Sequence, residues 1–425
     1  MFSLLVALLA VVALATSTST GAERLGPKGD EPSVEVAFQQ ESVAPGGTAT
    51  LRFFTAARGV TLQIFHAGSE QGRTRRSDVM NGVAAAPPHW LGAEQAGSLA
   101  TIEVGTWESG LYFARVKSRD GLVGYAPLVV RPGRLGEHRV AVVMPTQTWQ
   151  AYNFRDDDGD GRPDTWYAGN GNVVHLFRPF LNRGVPYRFR HYDLPFLHWL
   201  ARTGKHVDYL ADSDLDRLGN GRELARAYDL IVFPGHHEYV TTREYDAVEG
   251  YRDLGGNLMF LSANDFFWRV FRRGNTITRT ERWRELGRPE AALIGAQYRG
   301  NDRGQHKGSW IVRDVADAKW LFAGTGLAMR SHFGRGGIEI DATTPDSPPG
   351  VHVLAEIPHL YGKQFTAQMT YYETPAGAKV FAAGAFDLVE SVLEPDAPLP
   401  DRQALRAEPG ATQMLENLWA HLASP

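Results

Sequence analysis

Between Ser33 and Arg131 apolar and polar positions alternate with a period of two, in the runs VEVAF, ATLRFF, VTLQIF, LATIEV, LYFARVKS and APLVVRP. Turn signals (PGG, ARG, RDG) separate several of these runs. Alternation puts one face of each strand in a core and the other towards solvent. Short strands at this spacing predict an antiparallel β-sandwich over residues 33–132. From Arg139 the pattern changes. RVAVVMP is a near-continuous apolar run, as expected of a strand buried on both faces. An amphipathic helix from Tyr192 to Thr203 follows, then HVDYL, LARAYDLIVFPG, a helix over Thr242–Asp253, and NLMFLSAN. Strands alternating with helices predict βαβ units and a parallel sheet over 137–425. Beyond Arg282 strands are expected at ALIGAQY, SWIVR, HVLAEI, AQMTYYET and AKVFAAGAF. A closing helix is expected at Ala411–Ala423, with Met414, Leu415, Leu418, Trp419 and Leu422 on one face.

This pattern directs attention to loops. Residues that follow parallel strands at their carboxyl ends are where ligands bind in open α/β sheets. Two such loops carry polar groups: His236, His237, Glu238 and Tyr239 after LIVF, and Asn264 and Asp265 after NLMFLSA.

Composition narrows the possibilities. The chain has 425 residues, 43% hydrophobic and 22% charged, enough for two or three domains. Its formal net charge is −4 and it has no basic stripe, so nucleic acid is not an expected partner. The absence of cysteine excludes cysteine nucleophiles, zinc–thiolate sites and cysteine-held iron–sulfur clusters. Phe2–Ala15 is almost wholly apolar and ends in Ala13-Leu14-Ala15, a small-residue cleavage pattern. This predicts a signal peptide over 1–22 and a secreted or periplasmic protein. The run is short for a spanning helix, which needs ~20 apolar residues, so no membrane association is expected after cleavage.

Several residues are candidates for chemistry. Asp156, Asp158, Asp160 and Asp164 fit positions 1, 3, 5 and 9 of a calcium loop, with Gly161 at the tight turn and Tyr167 where a bidentate glutamate usually stands. The alternative is a solvated acidic turn neutralised in part by Arg155 and Arg162. GHHEY supplies a His-x-Glu pair suited to metal binding or proton transfer, or simply loop histidines that satisfy backbone groups. Asn264 is either a donor to a developing oxyanion or a helix N-cap. Tyr112 in SGLYFARV and Tyr152 in TWQAYNF read, by themselves, as packing aromatics. Glu339 in GRGGIEIDA reads as a strand carboxylate, at the surface or aimed into a cleft.

The segments TWESGLYFARV, VVMPTQTWQAYN, YDLPFLHWL, GHHEY, GGNLMFLSANDFFWR, WRELGRPEAALIGAQY, GGIEID and VFAAGAFD occur in this order from about Trp107 to about Asp387. Together they resemble the large subunit of N,N-dimethylformamidase and its single-chain relatives. The resemblance implies a class I glutamine-amidotransferase-like (flavodoxin-like) domain without the cysteine nucleophile, and hydrolysis of a small-molecule amide. It implies a mononuclear Fe(3+) held by Tyr112, Tyr152 and Glu238, with His236 beside it, Asn264 in the pocket and Glu339 as a proton carrier. Because Tyr112 belongs to the sandwich and Tyr152 to the α/β unit, the ion is expected at the domain interface. Calcium in the acidic loop would then fix the Tyr152 loop. Against the family pattern, the N-terminal portion is smaller, nothing indicates a small partner subunit, and the stretch between ANDFFW and WRELGRP is short. These departures bear on dimethylformamide as substrate more than on the metal site. Two alternatives remain: a hydrolase of a larger exported amide or sugar derivative, and a calcium-stabilised secreted binding protein with a relic site.

Overall fold

The computed structural model describes residues 32–69, 78–169, 171–361, 364–393 and 409–424. The signal-peptide expectation lies outside these residues. The alternating segment forms two facing sheets. One holds the strands Val36–Phe38, Thr48–Phe53 and Leu99–Glu103, all antiparallel. The other is built around Ala57–His66, Gly110–Lys117 and Val123–Val130, also antiparallel, with the short Ser42–Val43 strand added parallel at one edge. Period-two alternation aims Tyr112, Ala114 and Val116 into the sandwich core, beside Phe53 and Leu62. The intervening Leu111 and Phe113, with Tyr125 and Val129 next door, point the other way. They are buried too, against Trp149, Phe189 and Val142 of the following unit. The Phe113 and Phe189 rings lie 5.4 Å apart across this seam. This second sheet is therefore packed on both faces, and through it the sandwich shares a core with the rest of the molecule.

The large sheet is mixed, which corrects the expectation of a parallel one. Asp208–Ala211, Val140–Met144, Leu230–Phe233, Asn257–Phe260 and Lys379–Ala382 run parallel, side by side in that order. Phe365–Glu373, His352–Leu360, Lys307–Val312, His332–Ala342 and Gln297–Asn301 continue the same sheet antiparallel. The reason is connectivity: after the fourth parallel strand the chain makes hairpin-type returns, which need no crossover helix. In chain order the parallel half reads second, first, third, fourth, fifth, so the strand order reverses between Val140–Met144 and Leu230–Phe233. That reversal opens a crevice at their carboxyl ends.

Most expected helices are present. Thr242–Asp253 is bounded as the sequence indicated, because Thr241 accepts from the Glu244 amide at 3.2 Å and Glu244 reaches back to the Thr241 amide. The C-terminal helix is Pro409–Leu422. The ALIGAQY segment is corrected: Glu290–Ile294 is a helical turn, and the strand begins only at Gln297. A further four-stranded sheet was not anticipated. It joins Val173–His175, Thr276–Arg282, Trp268–Arg273 and Tyr239–Val240, over a small core that includes Trp166, Tyr239, Val270 and Ile277. No helix among the described residues is long and apolar enough to cross a membrane.

Candidate active site

The crevice at the strand reversal is a cavity of about 750 Å³. Three strand ends feed it. After Val140–Met144 come Pro145, Thr148, Trp149 and Tyr152; after Leu230–Phe233 come His236 and Glu238; after Asn257–Phe260 comes Asn264. Tyr152 closes the short helix Thr146–Ala151. The buried Arg178 guanidinium fixes this turn by donating to the carbonyls of Gln150 (3.0 Å) and Asn153 (2.9 Å) and to Asp157 (2.9 Å). Glu238 is held by its own backbone, since its carbonyl accepts from the amides of Phe267 (3.1 Å) and Trp268 (2.9 Å) in the neighbouring loop. A Cβ at Gly235 would lie 2.1 Å from Asp193 Oδ1, so any larger residue there would displace that carboxylate.

Three groups converge on one carboxylate oxygen. Glu238 Oε2 accepts from the Tyr152 hydroxyl at 2.7 Å and from the Tyr167 hydroxyl at 3.0 Å. His236 Nε2 lies 3.1 Å from the same oxygen and 3.4 Å from the Tyr152 hydroxyl, while its Nδ1 donates to the Ala263 carbonyl at 3.2 Å. Tyr167 also bonds the Tyr239 hydroxyl, and the Tyr152 and Tyr167 rings lie 4.6 Å apart. All of these side chains except the two phenol-bearing Tyr152 and Tyr167, which are part-exposed to the cavity, are fully buried. Burial first, then the Glu238 charge, pushes the Tyr152 and Tyr167 phenols well above their ordinary value. Burial opposes a charge on His236, but the Glu238 hydrogen bond and the Glu339 charge outweigh it and raise the imidazole to about 9.

Glu339 stands across from this cluster. Its Oε2 accepts from Asn264 Nδ2 at 2.7 Å and lies 3.8 Å from His236 Nε2, and its Oε1 accepts from Asn301 Nδ2 at 2.7 Å. It is buried rather than a surface carboxylate. Burial, reinforced by Glu238 and opposed by His236 and the two amides, raises it to about 7. Asn264 is not a helix cap: it sits in the left-handed region at φ 54°, its amide donates to Asp341 Oδ1 at 2.9 Å, and a strand follows. Ile338, Arg188 and Arg303 also line the cavity with positive φ (67°, 61° and 60°). Such backbone strain concentrates at functional sites. His237 faces away, between the carbonyls of Gly235 and Val143, and burial drops it to about 3.

A family model described as N,N-dimethylformamidase beta subunit-like, C-terminal, matches residues 97–395. The chain belongs to this family. The N,N-dimethylformamidase beta subunits of an Alcaligenes species and of Paracoccus aminophilus are each 31% identical over 137 residues, 32% of this chain. The matched segment spans 17% of the length of each. CopC from Methylosinus trichosporium OB3b is a solved structure with TM-score 0.17 and 18% identity, covering 24% of this chain and 95% of that chain. A Paenibacillus cycloisomaltooligosaccharide glucanotransferase gives 0.18 and 10%, over 83% of this chain and 69% of that chain. Likeness at this level bears on neither fold nor function.

Within this N,N-dimethylformamidase beta subunit-like chain, the expected site residues divide. Tyr152, Glu238, His236, Asn264 and Glu339 line one cavity. Tyr112 does not, which corrects its assignment as a ligand. Its place in the strand register turns it into the sandwich core, where its hydroxyl donates to the Glu108 carbonyl at 2.9 Å and its ring packs on Trp107 and His66. The cluster accordingly lies within the α/β unit and not at the domain interface. Tyr167 supplies the second phenol. The sequence had shown it only as the wrong residue for position 12 of the acidic loop; the short helical turn Trp166–Ala168 aims it inward. In that loop, ligand oxygens of Asp156, Asp158 and Asp164 lie within 4.8 Å of one another. Asp160 is outside the group and accepts from the Arg162 amide at 2.7 Å.

Proposed function

We propose that this protein is an exported, metal-dependent amidohydrolase. The single observation that carries the proposal is the convergence of two phenols and an imidazole on Glu238 Oε2, with Glu339 facing them across a large cavity. Family membership supports the reaction class. The reversal of strand order above this site supports a flavodoxin-like, glutamine-amidotransferase-like ancestry for the parallel half. The apolar run Phe2–Ala15 supports export.

The donor set fits a hard trivalent cation such as Fe(3+). Tyr152, Tyr167 and Glu238 offer three oxygens that become anionic together, and buried phenolates need a cation to persist. Held by these three residues, such an ion would supply Lewis acidity towards an amide carbonyl and towards water. The remaining roles belong to the chain. Glu339, near neutrality, takes a proton from the attacking water and returns it to the leaving nitrogen. Asn264 keeps Glu339 aimed through its 2.7 Å bond and offers its amide to the tetrahedral oxyanion. His236, pinned by the Ala263 carbonyl, presents its other nitrogen to the same region.

Elemental analysis of the purified protein, with an amide panel, tests this directly. Glu238→Ala should lose both metal and turnover while keeping its circular dichroism spectrum. Stoichiometric metal in that variant would show the ligand assignment to be wrong. Glu339→Gln should retain metal and lower kcat by about 10²–10⁴-fold, the usual worth of a positioned acid–base.

A further inference from the structure

The cavity is much larger than a small formamide requires. Its volume of about 750 Å³ lies within the ~300–1,000 Å³ typical of pockets for drug-sized ligands. Part of its wall is aromatic, formed by Tyr187, Tyr192, Phe267 and Phe386. Two arginines, Arg188 and Arg303, also line it. Arg188 makes no ion pair among the described residues. Its cation lies 5.4 Å from the centre of the Tyr187 ring, and that ring lies 6.4 Å from the ring of Tyr152. Asp387, whose charge reaches Arg188, is already bonded to Lys307. The carboxylates at the reacting end, Glu238 and Glu339, are occupied by their own partners. Arg303 is tethered to that end, since its amide donates to Asn301 Oδ1 at 2.6 Å and Asn301 bonds Glu339. Both arginines hold left-handed backbones, at 61° and 60°.

A half-buried guanidinium over an aromatic face, with no carboxylate of its own, is a seat for a planar anion, which it grips through two parallel hydrogen bonds. We propose that the substrate is an amide that also bears a carboxylate, an N-acyl amino acid with an apolar or aromatic side chain, with Arg188 as the principal anion contact and Arg303 as its auxiliary. This inference rests on the amidohydrolase reading and names the substrate class of the same site. The aromatic wall receives the side chain, and the scissile amide falls between Glu238 and Glu339. One tyrosine ring, that of Tyr187, separates the anion seat from Tyr152.

The test uses N-acetylphenylalanine and N-acetylphenethylamine, which share the scissile amide and the aromatic ring and differ by the carboxylate. The metal-loaded protein should show a kcat/KM ratio of acid over neutral amide of about tenfold to hundredfold, the range of a charge-assisted hydrogen-bond pair. Arg188→Met should collapse that ratio at least about tenfold, mainly through KM, and Arg303→Met should reduce it less. A wild-type ratio near one, or a ratio unmoved in both variants, overturns the substrate class. Calorimetric titration of the Glu339→Gln protein with both probes separates the two layers of the proposal. Tighter binding of the acid with no hydrolysis by the wild type would sink the hydrolase reading and support the anion seat. Hydrolysis with equal affinity for both probes would sink the anion seat alone.

Discussion

Tyr112 and Tyr167 look alike in sequence, each beside another aromatic or apolar residue, and they end in opposite environments. Tyr112 donates to a backbone carbonyl inside the sandwich, whereas Tyr167 reaches Glu238. Tyr112→Phe should therefore leave the metal content unchanged and cost about 1 kcal/mol of stability, the net worth of one hydrogen bond. Tyr167→Phe should lower the metal content measurably. The reverse result would restore Tyr112 as ligand. Asp193 makes a second residue-scale prediction. It lines the cavity, buried, and Oδ1 lacks a hydrogen-bond partner. Burial, opposed by the Trp149 indole and by His236, raises its carboxyl from 3.8 to about 8. The folded protein thus holds a proton that the unfolded chain releases near pH 4. Stability from this group is full below that pH and falls by about 1.4 kcal/mol per unit as pH rises towards 8. Asp193→Asn should remove this slope, so the variant should gain on the wild type in denaturant midpoint from pH 5 to pH 8. Parallel profiles would show that Asp193 is ionised in the folded protein.

At the scale of elements, the acidic loop is a short excursion between the two phenols that bond Glu238. It leaves at Tyr152 and returns at Tyr167, and Asp164 closes it by donating its amide to the Arg155 carbonyl at 2.9 Å. The calcium reading of Asp156, Asp158 and Asp164 makes a definite demand. Calcium at a hundredfold above its Kd should stabilise the protein by about 2.7 kcal/mol, and chelation that spares the metal proposed for the cavity should lower activity by loosening the Tyr152–Tyr167 pair. A melting temperature indifferent to calcium would leave an ordinary acidic turn. The strand–loop–helix run from Tyr228 to Asp253 was legible in the sequence because its apolar strand and its Thr241–Glu244 helix cap are signals carried by near neighbours. The Trp268–Arg282 hairpin was not, because its strands alternate around arginines whose guanidiniums cover Trp268 and Phe271, so no clean apolar face showed.

For the whole molecule, the decisive feature is the shared core between sandwich and α/β unit. Leu111, Phe113, Tyr125 and Val129 pack in one cluster with Val142, Trp149 and Phe189. Neither part buries that surface alone. Scanning calorimetry of the full chain should therefore show one cooperative transition, with calorimetric and van't Hoff enthalpies in agreement. Two resolved transitions would mean that the units unfold independently. Trp149 belongs both to this shared core and to the cavity lining, so the interface with the sandwich backs one wall of the candidate site.

The sequence by itself determined what depends on near neighbours: the alternating strands, the capped helix at Thr242, the GHHEY and Asn264 loops at strand ends, and the family. It also named Tyr152, Glu238, His236, Asn264 and Glu339 as candidates. Tertiary structure alone decided which of two tyrosines faces Glu238, that Glu339 is buried opposite it, and that two arginines line the same cavity. It also decided that half of the large sheet runs antiparallel. These outcomes turn on strand register and on contacts across about 70 to 190 positions of chain, and a one-residue change of register reverses the face a side chain presents without altering the local pattern.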